Sequence, residues 1–422
     1  MLIRNIGVIA GIDNGLPYRR GKELSDIEYV ENAWLRIVDG VVAAFGSMDS
    51  IPEVDSTEET IDAQGGFILP AFCDSHTHLV YPGSRSGEFL DKINGLSYEE
   101  IASRGGGILN SADRLSRTSE NELYREAMRR VQEVIEMGTG AIEIKSGYGL
   151  SLQSELKMLR VIGRIADSVT IPVRSTFLGA HAVGRAYAGR QAEYVAHIIN
   201  DMLPAVASQG LAQYVDVFCD RGFFTPEETS RILDAATKFG MRPKIHANEL
   251  DVSGGVEVGV EHGALSVDHL ERAEEPQLSL LGRSETVATM LPGASFFLGM
   301  PYGNARSAIN HNAILALASD FNPGSSPSGD MRFVWALGCI KMRLTPVEAL
   351  NAITQNGAFA MGVEEAAGTI AVGKPANLIL TEPLTDSDFL GEGPADIRQL
   401  AEIPYRYTRP WIRRRILPIK NR

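Results

Sequence analysis

Between residues 66 and 320 one pattern recurs eight times: a short apolar run, a polar or otherwise distinctive stop, then a stretch with helical spacing. The runs end at His78, Lys145, His181, Cys219, His246, His269, Leu291 and Asp320. Strands alternating with helices predict an α/β fold, and eight of them predict a (β/α)8 TIM-like barrel over residues 66–364. Helix starts are equally legible. Ser119-Glu120-Asn121-Glu122 reads as a capping box ahead of Leu123, Ala127, Val131, Val134 and Ile135. Thr225-Pro226-Glu227-Glu228 and Thr345-Pro346-Val347-Glu348 add proline at the first helical position, and Gly240 closes the first of these helices.

The flanks have a different texture. Residues 1–65 read as short strands and turns, with Asp39-Gly40 as a hairpin turn between residues 33–38 and 41–46. Strand-and-turn character returns over residues 365–422, where residues 368–380 read as two strands about a Gly-Lys-Pro turn. The two ends are expected to pair as one small composite β-sandwich domain.

Composition narrows the partners. A net charge of -13 argues against nucleic acid and anionic membrane, and an acidic substrate would need a local arginine to recruit it. Arg413-Arg414-Arg415 and the basic residues at 420–422 are read as a solvated surface strand. Cys73, Cys219 and Cys339 are widely spaced and form no CxxC pair, which suits a reducing cytoplasm. The N-terminal apolar stretch is too short for a signal peptide, and no run approaches the ~20 apolar residues of a membrane span.

Half of a metal site is visible in Asp74-Ser75-His76-Thr77-His78, which closes the apolar run of residues 66–73. Alternate residues of a strand share a face, so His76 and His78 point the same way. A hydrolytic metal needs ligands on one side, an open position for water and a base beside it. His246-Ala247-Asn248-Glu249 offers His246 as ligand and Glu249 as base, and Asp320 supplies a fourth ligand or a proton carrier. His269 either ligates or stabilises charge on the attacked oxygen. His181 is open in the same way, with substrate contact favoured. Lys145 either serves the site or is buried beside a carboxylate such as Glu143. His197, His262 and His311 fall on helices or loops and are read as structural. Gly105-Gly106-Gly107 has no Lys-Ser/Thr after it, so an active-site loop is read there in place of a phosphate loop.

From about residue 30 to the C-terminus the chain resembles the imidazolonepropionase family, amidohydrolase-superfamily enzymes of histidine degradation. The resemblance rests on Asp74-Ser75-His76-Thr77-His78-Leu79, Gly83-Ser84-Arg85 with Glu88-Phe89, Gly105-Gly106-Gly107-Ile108 and Lys145-Ser146-Gly147-Tyr148-Gly149-Leu150. It rests further on Ala180-His181-Ala182, His246-Ala247-Asn248-Glu249 and Asp320-Phe321-Asn322-Pro323-Gly324-Ser325. His-x-His and the last-strand aspartate are common to amidohydrolases; the Lys-Ser-Gly-Tyr-Gly and Asp-Phe-Asn-Pro-Gly segments are narrower. Ala71, where the family usually has glycine, and Pro82 and Ser84 in the loop before Arg85 depart from the pattern.

The resemblance implies one Zn or Fe ion per subunit on His76, His78, His246 and Asp320, with Glu249 and His269 as acid/base and electrostatic groups. It implies substrate contacts from Arg85, Tyr98, Tyr148, His181, Glu249, Asn322, Gly324 and Ser325, and a homodimer. The implied reaction is hydrolysis of the cyclic amide of 4-imidazolone-5-propanoate to N-formimidoyl-L-glutamate, with Arg85 on the propionate. Two rivals are a deaminase of a cytosine- or guanine-like ring, which would not call for Arg85 or the Lys145–Tyr148 segment, and a non-catalytic binding barrel, which could lose Glu249 without penalty.

Overall fold

The computed structural model describes the whole chain except residues 54–55, 97–99, 101–105, 385–395, 410 and 420–422. The N-terminal part begins with β1 (Leu2–Ile12), the β2–β3 hairpin (Glu28–Val38, Val41–Ser47), β4 (Thr60–Asp62) and β5 (Gly66–Pro70). Asp39 and Gly40 both take positive φ, 50° and 75°, as a tight hairpin of this kind requires. The barrel strands come next, as β6 (Phe72–Asp74), β7 (Thr139–Lys145), β8 (Val173–Ala180), β9 (Tyr214–Cys219), β10 (Arg242–Ala247), β11 (Ser266–His269), β12 (Val287–Met290) and β13 (Leu315–Leu317). They form one eight-stranded parallel sheet in sequential order. The (β/α)8 barrel is therefore present.

The C-terminal strands β14 (Leu378–Pro383) and β15 (Ile412–Ile416) join the N-terminal ones in a seven-stranded sheet, in the order β15-β14-β5-β1-β2-β3, with β4 on β1. The expected union of the two chain ends is realised there, around a cluster that includes Ile3, Ile9, Leu35, Ile68, Leu378 and Leu380. The barrel and its helices share a second, much larger core.

Four local expectations are corrected. The apolar run from residue 66 to His78 is not one strand. Gly66–Pro70 pairs with β14 and β1 in the small sheet, and only Phe72–Asp74 enters the barrel. The two strands expected over residues 368–380 reduce to β14 and two isolated bridges, Ile370 to Ile12 and Pro375 to Val41, because the intervening backbone is anchored to the N-terminal strands. The basic strand is only partly solvated. Arg413 and Arg414 are exposed, but Arg415 turns inward and donates to the carbonyls of Ile135, Leu378 and Thr139. Thr225 and Thr345 cap as full capping boxes, whereas the box expected at Ser119 is half formed, with only the Ser119 hydroxyl accepting from the Glu122 N–H. Among the described residues no helix is long and apolar enough to cross a membrane.

Candidate metal centre

The chain does not bend away after β6; it stays extended and closes the barrel. The Asp320 N–H donates to the His76 carbonyl (3.0 Å) and the His78 N–H to the Phe321 carbonyl (2.9 Å), while Thr77 bridges to Phe321. On the other side the Lys145 N–H donates to the Thr77 carbonyl at 2.8 Å. The first and last strands thus meet through the segments that carry the candidate ligands. Thr77 turns its hydroxyl to the Glu143 carbonyl (2.6 Å), and the two histidines project together from the opposite face, as strand alternation requires.

Asp320 sits at φ 54°, a left-handed conformation that aspartate tolerates better than most residues. Its loop is held by Asn322, whose amide donates to the Asp320 carbonyl and the Ser325 hydroxyl (2.7 and 2.6 Å) and accepts from the Gly324 and Ser325 N–H groups, both at 2.8 Å. Asn322, expected as a substrate contact, spends its side chain on this turn. Ser325 in turn donates to Asp320 Oδ2 at 3.1 Å.

His78 Nε2 lies 3.2 Å from His76 Nε2 and 3.3 Å from His246 Nε2, and Asp320 Oδ1 lies 3.5 Å from His76 Nε2 and 3.6 Å from His78 Nε2. Donors about 2.1 Å from one ion stand about 3–3.5 Å apart, so His76, His78 and Asp320 can share one metal ion and His246 adjoins them through His78, while His76, His246 and His269 form a second, overlapping cluster. The protonation states fit as well. His76 Nδ1 faces Asp268 Oδ2 at 2.6 Å, and His246 Nδ1 lies 3.0 Å from Asp216 Oδ2, off line for a good hydrogen bond. With each Nδ1 turned to a carboxylate, each Nε2 presents its lone pair inward. Burial, and then neighbouring cations and imidazoles, hold the pKa of His76, His78 and His246 well below the ordinary value, so the rings are neutral. Converging lone pairs in a dry site repel one another unless a cation sits among them.

Beneath the histidines lies a charged layer that sequence reading largely missed. Lys145 Nζ donates to Glu143 and Asp216, both at 2.7 Å, and stands 3.4 Å from Asp268. Lys244 pairs with Glu143 and donates to the carbonyls of Ser75 and Ala360. Lys145 therefore resolves toward burial beside Glu143, while also joining the carboxylates behind two candidate ligands. The available signal was a charge inside an apolar strand, as in Tyr-Val-Asp216-Val and Ser-Val-Asp268-His. All of these side chains are fully buried. Lys145→Met is expected to lower folding stability by about 3–5 kcal/mol, because it strands buried carboxylates; urea unfolding checks this.

Glu249 and His269 stand over the ligands. Glu249 Oε2 is 3.6 Å from His269 Nε2, and Glu271 approaches His269 Nδ1 at 3.4 Å. Burial raises the Glu249 pKa to about 7; His269 pulls it down, while the negative charges of Glu271 and Asp320 act with burial. For His269 burial opposes the charge, but Glu249 and Glu271 together outweigh it and hold its pKa well above the usual value. Burial likewise pushes Asp320 up to about 6 and His181 down to about 4. His269 and Leu270 both have positive φ, 85° and 69°, and Asn248 has 56°, so backbone strain collects around the site.

One cavity of about 680 Å³ opens over this centre. His78, His246, His269, Asp320, Glu249, Arg85, Tyr148, His181, Asn322, Gly324 and Ser325 all line it, and His76 lies buried at its base. Tyr98 and Gly105 lie outside the described residues. His181 is placed by Gly147, whose carbonyl lies 3.0 Å from His181 Nδ1; a Cβ there would come within 2.9 Å of the same nitrogen. The loop of residues 147–150 is pinned by Glu155, an unforeseen buried carboxylate that accepts from the N–H groups of Gly147, Gly149 and Leu150. Phe218, Phe223 and Phe297 add apolar walls. His197, His262 and His311 pair with Asp201, Asp234 and Glu275 away from the cavity, as structural histidines.

A parallel barrel with three histidines and an aspartate gathered at the carboxyl ends of its strands is the architecture of a metal-dependent hydrolase, and the profile of the amidohydrolase family matches residues 67–401. Solved structures share the fold. A triazine hydrolase variant superposes with a TM-score of 0.70 at 15% identity, covering 95% of this chain and 90% of that one. The E. coli guanine deaminase does so at 0.68 and 15%, covering 99% and 98%. Sequence similarity is much narrower. The imidazolonepropionase of Flavobacterium johnsoniae is 50% identical over 91% of this chain and 93% of its own length, and that of Clostridium tetani 40% over 87% and 88%. The chain belongs to the imidazolonepropionase family of the amidohydrolases.

Proposed function

We propose that the site opens the ring of 4-imidazolone-5-propanoate by hydrolysis, giving N-formimidoyl-L-glutamate, with His76, His78, His246 and Asp320 holding one Zn or Fe ion. The observation that carries this reading is the convergence of four candidate ligand atoms, each 3.2–3.6 Å from at least one other, beneath Glu249 and His269, in a cavity that also contains Arg85. Such an ion supplies Lewis acidity, polarising a carbonyl and making water a nucleophile at neutral pH. Glu249, its carboxyl titrating near neutrality, takes a proton from the attacking water at Oε2 and delivers it to the ring nitrogen as the C–N bond breaks. His269, held as an imidazolium between two carboxylates, stabilises negative charge developing on the carbonyl oxygen. Tyr148 and His181 border the ring. The carbonyl carbon, now bonded to the water oxygen, becomes a carboxylate of the opened product, and its remaining proton is lost to solvent.

Arg85 binds the propionate. Its Nε and Nη2 donate to Glu88 Oε2 at 2.8 and 2.5 Å, which fixes the guanidinium plane, and its Nη1 edge runs against Gly324, where a Cβ would collide with it. A side chain at Gly324 would therefore crowd the Arg85 guanidinium. Arg85→Met is expected to raise KM roughly 10- to 150-fold, the equivalent of a charge-assisted contact of about 1.5–3 kcal/mol, with metal content unchanged. Lysine should restore only part, lacking the planar fork. Unaltered discrimination for the carboxylate in Arg85→Met would place the tail elsewhere.

The decisive assay tracks loss of the imidazolone chromophore and appearance of N-formimidoyl-L-glutamate. Release of ammonia from an aminated ring, without imidazolone turnover, would favour the deaminase reading. We further propose a cytoplasmic homodimer, with residues 1–65 and 365–422 flanking a hydrolase barrel of residues 66–364 but lending Gly66–Pro70 to the small sheet. The dispersed free cysteines and the family resemblance support this assignment.

A further inference from the structure

We infer that Asp220, at the end of β9, is a positioning residue for the proton carrier Glu249. This rests on the role given to Glu249 above. The backbone from Asn248 to Ser253 leaves β10 without regular structure, so its N–H groups have no ladder partners. Asp220 supplies partners for three of them. Its Oδ2 accepts from the N–H groups of Glu249 and Leu250, both at 2.9 Å. Its Oδ1 accepts from the N–H groups of Arg221 (2.7 Å) and Asp251 (3.2 Å) and from the Ser253 hydroxyl (2.6 Å). Asp220 is buried, and it is not among the residues that line the cavity, so it acts on the reaction through the loop.

Both oxygens face donors only, which makes the carboxylate irreplaceable by its amide. In Asp220→Asn one oxygen becomes an NH2 group, and either orientation sets it against N–H donors. The Glu249 backbone would be pushed from its place, and a displacement of about 1 Å in a catalytic group can reduce rate about 100-fold.

The test is a double-mutant cycle in the full-length metal-loaded enzyme. Asp220→Asn is expected to lower kcat about 100-fold, with KM and metal content within about threefold of wild type. In a Glu249→Gln background the same substitution should lower kcat by less than about threefold, because the group it positions no longer transfers protons. A loss that multiplies fully on Glu249→Gln, or a wild-type kcat in Asp220→Asn, overturns the proposal. Asp220→Glu covers the case in which the amide variant fails to fold. It keeps two acceptor oxygens, shifted by one methylene, and should fold with lowered kcat; wild-type kcat there is equally fatal. The role of Glu249 fails separately, and visibly, if Glu249→Gln by itself turns over normally.

Discussion

Glu249→Gln is expected to lower kcat about 10²- to 10⁴-fold, the usual contribution of a general acid–base group. The glutamine keeps the volume and the backbone anchorage of Glu249 to Asp220. What it removes is the proton acceptor. The carboxylate stands 3.6 Å from His269 and belongs to neither cluster of candidate ligands, so metal content should stay at the wild-type level. Substrate affinity should change little, because the propionate is assigned to Arg85. Steady-state kinetics with metal analysis separates the effects: near-normal turnover in a metal-loaded variant would exclude Glu249 as the proton carrier. The variant should also lose the pH dependence set by a group titrating near 7, since activity in wild type requires the ionised form and falls as pH drops through that value.

The largest effect on binding is expected from the His76→Ala/His246→Ala double variant. Wild type should carry about one equivalent of Zn or Fe, as a site with one set of four donors allows, whereas the variant keeps only His78 and Asp320 and should carry almost none. The readout need not be catalysis. An ion present at about 1,000 times its Kd stabilises the folded protein by about 4 kcal/mol, so a chelator should lower the Tm of wild type and leave that of the double variant unmoved. The variant is expected to fold, because the barrel closure at this point is made by backbone bonds from Asp320 to His76 and from His78 to Phe321. Stoichiometric metal in the double variant would rule the centre out.

The alternation of strand and helix, the hairpin at Asp39-Gly40 and the capping boxes at Thr225 and Thr345 are local patterns, and the chain obeys them. His-x-His was legible for the same reason: two rings on one face of extended backbone are a property of three consecutive residues. The apolar run of residues 66–78 misled because hydrophobicity does not say which sheet a strand joins. Gly66–Pro70 is claimed by β14, more than 300 residues later, and the barrel sheet receives only Phe72–Asp74.

Asn322 shows the same limit within the site. Its residue type suits substrate contact, but only the fold reveals that its amide is consumed in holding the Asp320 turn. Glu155, Asp216, Asp220, Asp268 and Glu271 went unread because each takes its meaning from a partner. Three serve residues on other strands or loops: Asp216 and Asp268 face the metal-side histidines, and Asp220 holds the neighbouring loop. By itself the sequence determined the class of fold and which residue types could hold a metal or carry a proton, since these come from local periodicity and intrinsic reactivity. Tertiary structure alone decided the tautomers, the shifted pKa values and the posture of Arg85, because burial and through-space electrostatics depend on distances that no linear spacing records.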